Sequence, residues 1–477
     1  MNVSIQSISQ QSGIQFGTSG LRGLVSQMSY QVCYAYTLAF LQTIAIQPGQ
    51  KVAVGIDLRP SSPEIAKACM AAVIAKGCQV VYCGQLPTPA LAFYAKQQGM
   101  PAVMVTGSHI PFDRNGIKFY RAEGEISKQD EATINAATVD LVELPSDSGL
   151  PEVTDVALQC YQDRYLSLFD RSVLNGMKIG VYQHSSVARD LLPVILQSLG
   201  ANVVTIERTD HFVPIDTEAV SHEDELKARA WVAEYHLDAI VTTDGDADRP
   251  LIADENGTWF RGDIVGLLTA CFLTAKSVVT PISCNTVLEL SGNFAEVIRT
   301  RIGSPYVIAD MEALTLDHHP VAGFEANGGF MAGEGLHVQG KAIESLLTRD
   351  AVLPILCLLV MAAQTGGKLS QLAQGLPERY TFSDRLQEIP NPLTRQLLEE
   401  LSQNPAMLAL SDFDLGTIET INTLDGVRLY FSGGDIIHLR GSGNAPELRC
   451  YAESADADRS KQLVVATLAW AREHANI

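Results

Sequence analysis

The chain has 477 residues, of which 46% are hydrophobic and 18% are charged, and its formal net charge is −20. The length predicts three or four domains, and the composition is typical of an ordinary globular protein. The strong negative charge argues against a cationic surface that binds nucleic acid without regard to sequence, so we expect no nucleic-acid partner.

The nine cysteines are scattered and form no CxxC pair. That pattern disfavours a zinc site and favours a reducing, cytoplasmic setting. The N-terminal segment MNVSIQSISQQSG lacks the basic and apolar regions of a secretory signal. The longest apolar run, residues 351–363, is too short to span a bilayer and predicts a buried helix. We therefore expect no association with membranes.

A strand–helix–strand pattern recurs along the chain. In its first copy the strand KVAVGID precedes a helix that begins near Ser61, with Glu64 at capping-box spacing and Gly77 as the stop, and CQVVYCG is the next strand. In the second copy, MKIGVYQ precedes a helix that Pro193 bends or starts late, and ANVVTIE follows.

A third, weaker copy and a different C-terminal pattern complete the chain. SVVTPIS reads as a strand, residues 285–303 as a helix and SPYVIAD as the next strand. The last hundred residues contain short strands and a closing helix, which is typical of a small α+β domain. The pattern predicts three similar mixed α/β domains in tandem, with apolar strands covered on both faces, plus this smaller domain.

A polar, glycine-containing turn, VTGSHIPFDRNGIKFY, follows the apolar strand PAVMV and displays Ser108 and His109. A hydrolase nucleophile elbow needs glycine where this chain has Ile110, so that interpretation fits poorly. The chain also lacks a Walker-type phosphate loop. From this segment alone, a reactive serine and a simple chain reversal both stay open.

The most informative segment is TTDGDADRPLIAD, in which Asp244, Asp246 and Asp248 alternate with small residues after an apolar strand. Three carboxylates that face one point repel one another unless a cation lies between them. Oxygen ligands favour Mg²⁺ or Ca²⁺. An EF-hand is the main alternative, with Glu255 at its twelfth position, but Arg249 stands where that loop needs glycine.

Three further segments carry weaker signals. Arg440, Ser442, Asn444 and Arg449 in LRGSGNAPELR suit a phosphate group, although an ordinary hairpin with exposed arginines fits as well. Glu325 and Asn327 in GFEANGGF could bind sugar hydroxyls, although such turns are common, and Arg22 in FGTSGLRG could reach a phosphate, although a plain N-terminal turn is the simpler interpretation.

Taken in chain order, seven segments together resemble the α-D-phosphohexomutase family, which contains phosphoglucomutases and phosphomannomutases. They are FGTSGLRG, GIDLRPSS, LPTPAL, TGSHIPFDRNGIK, DGDADR, GFEANGG and RGSGNAPELR. The resemblance covers nearly the whole chain and is greatest for a phosphomannomutase-like bacterial branch. It implies an α/β protein with four domains around a central cleft, each supplying one loop: residues 1–150 the phosphoserine loop, 151–258 the metal loop, 259–375 the sugar loop and 376–477 the phosphate loop.

The resemblance also implies an activity, which is interconversion of hexose 1- and 6-phosphates through a bound hexose 1,6-bisphosphate. Ser108 would carry the phosphoryl group, and Mg²⁺ would be held by Asp244, Asp246, Asp248 and a phosphate oxygen on Ser108. Arg249 would neutralise the moving group, Lys118 and His109 would serve proton transfer, and Arg22 would contact the region of the serine. The expected substrate-binding residues are Glu325, Asn327, Arg440, Ser442, Gly443, Asn444 and Arg449.

This chain departs from the family pattern at several positions. Gly107 and Ile110 replace alanine and asparagine in the serine loop, Asn327 and Gly329 replace serine and histidine in the sugar loop, and Ala445 replaces a threonine. We expect the change at Gly107 to be mild. The pattern favours mannose phosphates over glucose or glucosamine phosphates, and a monomer or homodimer. The departures also leave open a catalytically inactive protein that binds phosphosugars and regulates another process.

Overall fold

The computed structural model describes residues 2–141, 149–315, 320–408, 410, 412–442 and 446–474. Along the chain, four large mixed or antiparallel sheets follow one another, and helices pack against them. These are the three similar α/β units and the smaller C-terminal unit that the sequence predicts. The boundaries at residues 150, 258 and 375 stay predictions.

The first unit is built on a six-stranded sheet with the order β2-β3-β7-β6-β4-β5, beside a small β1-β8 pair. Its elements are β1 (Asn2–Ser4), α1 (Ile5–Ser12), β2 (Gln15–Phe16), β3 (Leu21–Leu24), α2 (Tyr30–Thr43), β4 (Lys51–Ile56), α3 (Ser62–Ala75), β5 (Gln79–Gln85), α4 (Thr88–Gln97), β6 (Ala102–Val105), β7 (Arg114–Tyr120), α5 (Lys128–Ala136) and β8 (Thr138–Asp140).

The second unit has a four-stranded sheet with the order β10-β9-β11-β12. Its elements are α6 (Val156–Leu168), β9 (Lys178–His184), α7 (Leu191–Ser198), β10 (Asn202–Arg208), α8 (His222–Tyr235), β11 (Ala239–Thr243) and β12 (Pro250–Ala253). Pro193 lies in the first turn of α7, where its missing N–H costs nothing, so the late helix start is confirmed.

The third unit has a five-stranded sheet with the order β14-β13-β15-β16-β19, and a β17-β18 hairpin. Its elements are α9 (Gly262–Phe272), β13 (Ser277–Pro281), α10 (Val287–Leu290), β14 (Glu296–Thr300), α11 (Ser304–Thr315), β15 (Val321–Phe324), β16 (Phe330–Ala332), β17 (His337–Val338), β18 (Lys341–Ala342), β19 (Leu346–Asp350) and α12 (Val352–Thr365).

The fourth unit has an antiparallel sheet with the order β20-β24-β23-β22-β21. Its elements are β20 (Tyr380–Gln387), α13 (Asn391–Gln403), β21 (Ile418–Asn422), β22 (Val427–Phe431), β23 (Ile436–Gly441), β24 (Glu447–Ser454) and α14 (Ala457–His474). Short 3₁₀ turns occur at Leu369–Gln371 and Pro405–Met407.

Three local predictions are wrong. The predicted helix over 285–303 is only one turn, because Gly292 adopts a left-handed φ of 65° and the branched residues after it form β14. SPYVIAD is the start of α11 rather than a strand. The capping box at Ser61 is also absent, because the Ser61 hydroxyl accepts a hydrogen bond from the Asn115 amide instead of capping α3.

The core is shared unevenly among the units. One apolar cluster contains side chains from the first, second and third units, and it includes the buried helix α12, as the apolar run 351–363 predicts. The fourth unit has an apolar cluster of its own. Its contacts with the third unit include polar ones, such as Glu453 accepting from the Thr286 backbone N–H at 3.1 Å and Arg428 donating to the Ile282 carbonyl at 2.5 Å. Among the described residues, no helix combines the length and apolarity needed to cross a bilayer.

Candidate active site

Ser108 lies in the loop between the antiparallel neighbours β6 and β7, and it is fully buried. Its backbone has a φ of 54°, a left-handed conformation that is uncommon outside glycine, asparagine and aspartate. The Thr106 hydroxyl accepts a hydrogen bond from the Ser108 N–H at 2.8 Å. The strained conformation turns the Ser108 side chain toward the second unit, where its Oγ donates to Asp244 Oδ2 at 2.5 Å.

A buried arginine from the loop after β4 holds this conformation. The Arg59 guanidinium donates to the carbonyl oxygens of Ser108 (3.0 Å), Ile110 (2.5 Å), Pro111 (2.8 Å) and Arg114 (2.9 Å). Its Nε lies 3.2 Å from Asp57 Oδ2, which keeps the buried charge paired. The segment GIDLRPSS therefore contributes the clamp of the serine loop.

The clamp explains the glycine at position 107. A Cβ atom built on Gly107 would lie 2.5 Å from Cζ and Nε of Arg59, which is far inside van der Waals contact. The expectation that Gly107 is a mild departure stays a prediction, but in this chain the space of an alanine methyl group is filled by the clamping side chain. Ile110 contributes through its backbone, since its carbonyl binds Arg59 and its N–H donates to Gly107.

The metal loop is the turn between the antiparallel strands β11 and β12 of the second unit. It brings one carboxylate oxygen from each of Asp244, Asp246 and Asp248 to within 4.8 Å of the others, and all three residues are buried. Glu255 is directed elsewhere and binds Ser370, and β12 begins at Pro250, so the loop is not an EF-hand.

Each of the three carboxylates has one oxygen occupied by protein donors. Asp244 Oδ1 accepts from the backbone N–H groups of Asp248 and Arg249, both at 3.2 Å. Asp246 Oδ2 accepts from Thr88 at 2.5 Å and Lys118 at 2.7 Å, and Lys118 also donates to Asp248 Oδ2 at 2.5 Å.

The second oxygen of Asp244 accepts from Ser108, whereas those of Asp246 and Asp248, the Oδ1 atoms, are buried and lack a hydrogen-bond donor among the described residues. Burial raises the pKa of Asp244 well above its usual range, and the charges of Asp246 and Asp248 raise it further. Buried, mutually repelling oxygens without donors fit a hard divalent cation.

Lys118 completes this cluster as a cation. Burial lowers the pKa of Lys118, but Asp246 and Asp248 outweigh burial, and the pKa is raised above its ordinary value. Its Nζ hydrogens are already directed at two carboxylates, so in this arrangement Lys118 neutralises charge.

Basic side chains lie beside Ser108, beginning with its neighbour His109. His109 Nδ1 lies 3.4 Å from Ser108 Oγ, and its Nε2 lies 3.5 Å from Arg249 Nη1. Burial lowers the pKa of His109 well below its usual value, and the charges of Arg249, Arg22 and Arg449 lower it further. Burial likewise lowers the pKa of Arg22 to about 10, with Arg249 and Arg349 contributing. Such a concentration of positive charge suits an anionic ligand.

The sugar-loop residues Glu325 and Asn327 lie between β15 and β16 and are buried. Asn327 shapes its own loop, because its side-chain oxygen accepts from the Gly329 N–H at 2.9 Å and its carbonyl accepts from the Thr217 hydroxyl at 2.7 Å. Glu325 Oε2 binds Arg349, a residue that the sequence analysis did not single out.

Arg440 and Arg449 are directly opposed on the neighbouring strands β23 and β24. Each has an acidic neighbour of its own: Arg440 Nε lies 3.4 Å from Asp425, and Arg449 Nη2 lies 3.2 Å from Glu447. Arg440 and Ser442 line a cavity of about 580 Å³, whereas Arg449 lines another of about 460 Å³. The predicted ligands Gly443 and Asn444 lie outside the described residues.

Three functional residues lack a recognisable motif of their own: Arg59, Thr88 and Arg349. Thr88 binds Asp246 across 158 positions of sequence, and Arg349 binds Asp248 across 101. The only sequence signal for them was indirect, since Arg59 and Thr88 fall in the segments GIDLRPSS and LPTPAL.

Comparison with known proteins gives family matches over most of the chain. Three models of the phosphoglucomutase/phosphomannomutase family match: alpha/beta/alpha domain I over residues 13–142, domain II over residues 159–257 and domain III over residues 261–380. These matches cover the serine, metal and sugar loops.

Two curated relatives are similar over almost their whole length. A phosphomannomutase from Salmonella muenchen is 46% identical over 96% of this chain and 95% of its own. A phosphomannomutase from Sinorhizobium fredii is 45% identical over 96% of this chain and 98% of its own. The crystal structure of a phosphoglucomutase/phosphomannomutase family protein from Burkholderia thailandensis has a TM-score of 0.75 at 20% identity, covering 99% of this chain and 98% of its own, and so shows the same fold.

Proposed function

Because the chain belongs to the phosphoglucomutase/phosphomannomutase family, we propose that it is a phosphohexomutase that interconverts hexose 1-phosphate and hexose 6-phosphate, with mannose phosphates as its main substrates. The observation that carries this proposal is the contact between the Ser108 hydroxyl and the aspartate trio, 2.5 Å from Asp244. A hydroxyl held against a cation site, with a histidine and buried arginines beside it, is suited to carrying a phosphoryl group.

The potential ligands fit Mg²⁺ because they are carboxylate oxygens. Asp246 Oδ1 and Asp248 Oδ1 have no hydrogen-bond donor among the described residues, whereas the other oxygen of each carboxylate accepts from protein donors. Asp244, Asp246 and Asp248 would hold the ion, together with a phosphate oxygen on Ser108. When bound, Mg²⁺ neutralises charge on the transferred phosphoryl group.

In the proposed transfer, one bond to phosphorus breaks as another forms, and one proton moves in the opposite direction. The bond between phosphorus and Ser108 Oγ breaks as a bond forms between phosphorus and the free sugar hydroxyl oxygen. Ser108 Oγ keeps the electron pair of the broken bond. His109, whose Nδ1 lies 3.4 Å from Ser108 Oγ, would take the proton of the sugar hydroxyl and pass it to that oxygen. Arg249 and Lys118 hold positive charge beside the moving group, and Arg22 faces it from the first unit.

The second half-reaction runs in the opposite sense on the other phosphate of the bound 1,6-bisphosphate. Phosphorus moves from the sugar to Ser108 Oγ, and the proton returns to the sugar oxygen. The phosphate that does not react needs a separate site, and we assign it to Arg440, Ser442, Gly443, Asn444 and Arg449, with Glu325 and Asn327 on the sugar hydroxyls.

Mannose is favoured by the two phosphomannomutases at 45–46% identity. Phosphoglucosamine mutases from several organisms also match, at 26–28% identity. Glucose and glucosamine phosphates are therefore the alternatives. A cytoplasmic location and a monomeric or homodimeric state stay predictions.

The test compares initial rates on mannose, glucose and glucosamine 1-phosphates at equal Mg²⁺ and with a trace of the matching bisphosphate. We expect the highest kcat/KM for mannose and a mass increase of one phosphoryl group on Ser108. The control is Ser108→Ala, which lacks the acceptor oxygen. Full mutase activity in Ser108→Ala, or phosphosugar binding without turnover by the unaltered protein, would refute the proposal.

A further inference from the structure

Arg349 on β19 joins the metal loop to the sugar loop. Its side chain is 4% exposed, and it donates to Asp248 Oδ2 from Nε at 3.1 Å and from Nη2 at 2.9 Å. Its Nη1 donates to Glu325 Oε2 at 2.8 Å. One planar guanidinium group thus fixes the separation between a carboxylate at the metal and a carboxylate at the sugar.

The same guanidinium also reaches the first unit. Nη2 lies 3.3 Å from the Ser19 hydroxyl, and Nη1 lies 3.3 Å from the Ser304 hydroxyl of the third unit. Both serines donate to Glu125, at 2.7 Å and 3.0 Å. Arg349 is therefore the point at which polar contacts from three units meet.

Gly329 is what allows this side chain to cross the sugar loop. A Cβ atom on Gly329 would lie 2.5 Å from Cδ and 2.8 Å from Cγ of Arg349, so any larger residue would displace the arginine stem. Gly329 and Arg349 fill one space between them. The histidine that the family pattern has at this position would collide with Arg349 as it is placed here.

We propose that Arg349 is a positioning residue that holds Glu325 against the sugar and Asp248 against the cation. The absence of a side chain at Gly329 leaves room for the Arg349 stem. This proposal rests on the phosphohexomutase function. Arg349 acts through the two carboxylates and does not itself touch the transferred phosphoryl group.

Substitutions can separate the effect of the positive charge of Arg349 from the effect of its side-chain shape and position. Lysine keeps the charge but lacks the planar fork, so it can hold only one of the two carboxylates well. Glutamine removes a cation beside Asp248, and the loss of like charge strengthens the attraction of the trio for a dication. Gly329→Ala keeps both the charge and the fork but displaces them.

The experiment uses four full-length variants: Arg349→Lys, Arg349→Gln, Gly329→Ala and, as the matched control, Arg208→Lys. Arg208 is an exposed arginine at the end of β10. Its ion-pair partner, Asp190, lies in neither the metal loop nor the sugar loop. Steady-state kinetics on mannose 1-phosphate give kcat and KM for each variant. Calorimetric titration with mannose 6-phosphate and the Mg²⁺-dependent shift in Tm are measured on the same variants in a Ser108→Ala background, where no turnover occurs.

We expect Arg349→Lys and Gly329→Ala to lower kcat/KM by about 100-fold, the scale of a 1 Å misplacement of reacting groups. Their Kd for mannose 6-phosphate rises by about tenfold, as for the loss of one charge-assisted hydrogen bond. Their Mg²⁺-dependent Tm shift becomes smaller, because Asp248 is no longer fixed against the cation. In Arg349→Gln the loss of a positive charge beside the cation offsets part of that decrease, so its shift is larger than that of Arg349→Lys. Arg208→Lys matches the unaltered protein in every measurement.

Combining Arg349→Lys with Glu325→Gln tests the link directly. If Arg349 acts through Glu325, the double variant binds mannose 6-phosphate no more weakly than the worse single variant, because the two changes remove one shared contact. Additive losses overturn the proposal, as does an unchanged Kd or an unchanged Mg²⁺ response in Arg349→Lys. Failure of the proposed function is distinguishable, since it appears as an inactive unaltered protein while the binding measurements still report on Arg349.

Discussion

Two charged regions of the molecule differ in how their charges are balanced. The inner charge cluster consists of Lys118, Asp244, Asp246 and Asp248, and its members lie within hydrogen-bond distance of protein partners. The arginine pair, Arg440 and Arg449, lies on one sheet of the fourth unit, and the cavities these two residues line are open. The inner charge cluster is built by the first and second units, which share an apolar cluster, whereas the arginine pair is carried by a unit with its own core.

This difference indicates a division of labour. Reaction chemistry needs groups that are fixed before the substrate arrives, because reorganisation during the reaction adds to the barrier. A site that binds a distal phosphate in two orientations of the sugar can instead be organised by the ligand itself. Substitutions in the inner charge cluster should therefore change stability and kcat, and substitutions in the arginine pair should change KM.

The largest effect is expected for Lys118→Met, which leaves Asp246 and Asp248 without their shared cation. Removing one partner of a buried ion pair costs about 3–5 kcal/mol in unfolding free energy. Chemical denaturation measures it, and Lys227→Met, which breaks an exposed pair with Glu223, is the control. A loss below about 1 kcal/mol, the range of surface pairs, would contradict a preorganised cluster.

The arginine pair gives the opposite profile. Arg449→Gln is expected to raise KM for mannose 1-phosphate by about 10- to 100-fold, the value of one or two charge-assisted hydrogen bonds, with kcat changed by less than about threefold. Unfolding free energy should fall by less than in Lys118→Met, because the side chains of Arg449 and Glu447 are partly exposed, at 18% and 12%, whereas Lys118 and its partners are buried. A fall in kcat without a rise in KM would place Arg449 in the chemistry and remove the contrast.

A buried histidine is expected to make the stability of the fourth unit depend on pH. His438 is buried, donates to the Asp425 carbonyl at 2.6 Å, and burial lowers its pKa to about 3. Because the unfolded chain binds this proton near pH 6.5, stability is full above that pH and falls as the pH drops toward 3. The loss reaches about 2 kcal/mol by pH 5. His438→Gln should remove that share of the pH dependence, as measured by chemical denaturation at a series of pH values.

Gly107→Ala tests the clamp of the serine loop with a smaller change. The added methyl group collides with Arg59, and overpacking of this kind costs about 1–3 kcal/mol. We expect a lower kcat with it, because Ser108 moves relative to Asp244. Gly149→Ala is the control, since a Cβ there meets nothing within 4 Å. Equal stability and equal kcat in the two variants would mean that the serine loop shifts to accommodate the methyl group at no cost.

The sequence predicts those parts of the site that lie within single loops. Ser108, the aspartate trio and Arg249 come from short contiguous segments whose spacing reflects local geometry. Arg59, Thr88 and Arg349 escape such reasoning, because each acquires its role from a partner more than 40 positions away. Gly107 and Gly329 look like unexplained departures until the arginines that fill their missing side chains are placed.

The fold follows the same rule. Strong apolar strands and glycine-terminated helices in the first two units are found where the sequence puts them. In the third unit, Ser291 and Gly292 end a helix after one turn, and the following segment joins the sheet as β14. Periodicity cannot distinguish these outcomes for short apolar segments, because sheet pairing with β13 decides between them.

The left-handed backbone at Ser108 restricts which amino acid can stand at the position that we propose for the phosphoryl carrier. Threonine offers the same hydroxyl chemistry, but its branched Cβ is poorly tolerated at a φ of 54°. Aspartate tolerates that conformation, but its carboxylate would lie against Asp244, to which Ser108 Oγ now donates at 2.5 Å. The choice of serine over threonine at this position is thus made by main-chain geometry rather than by reactivity.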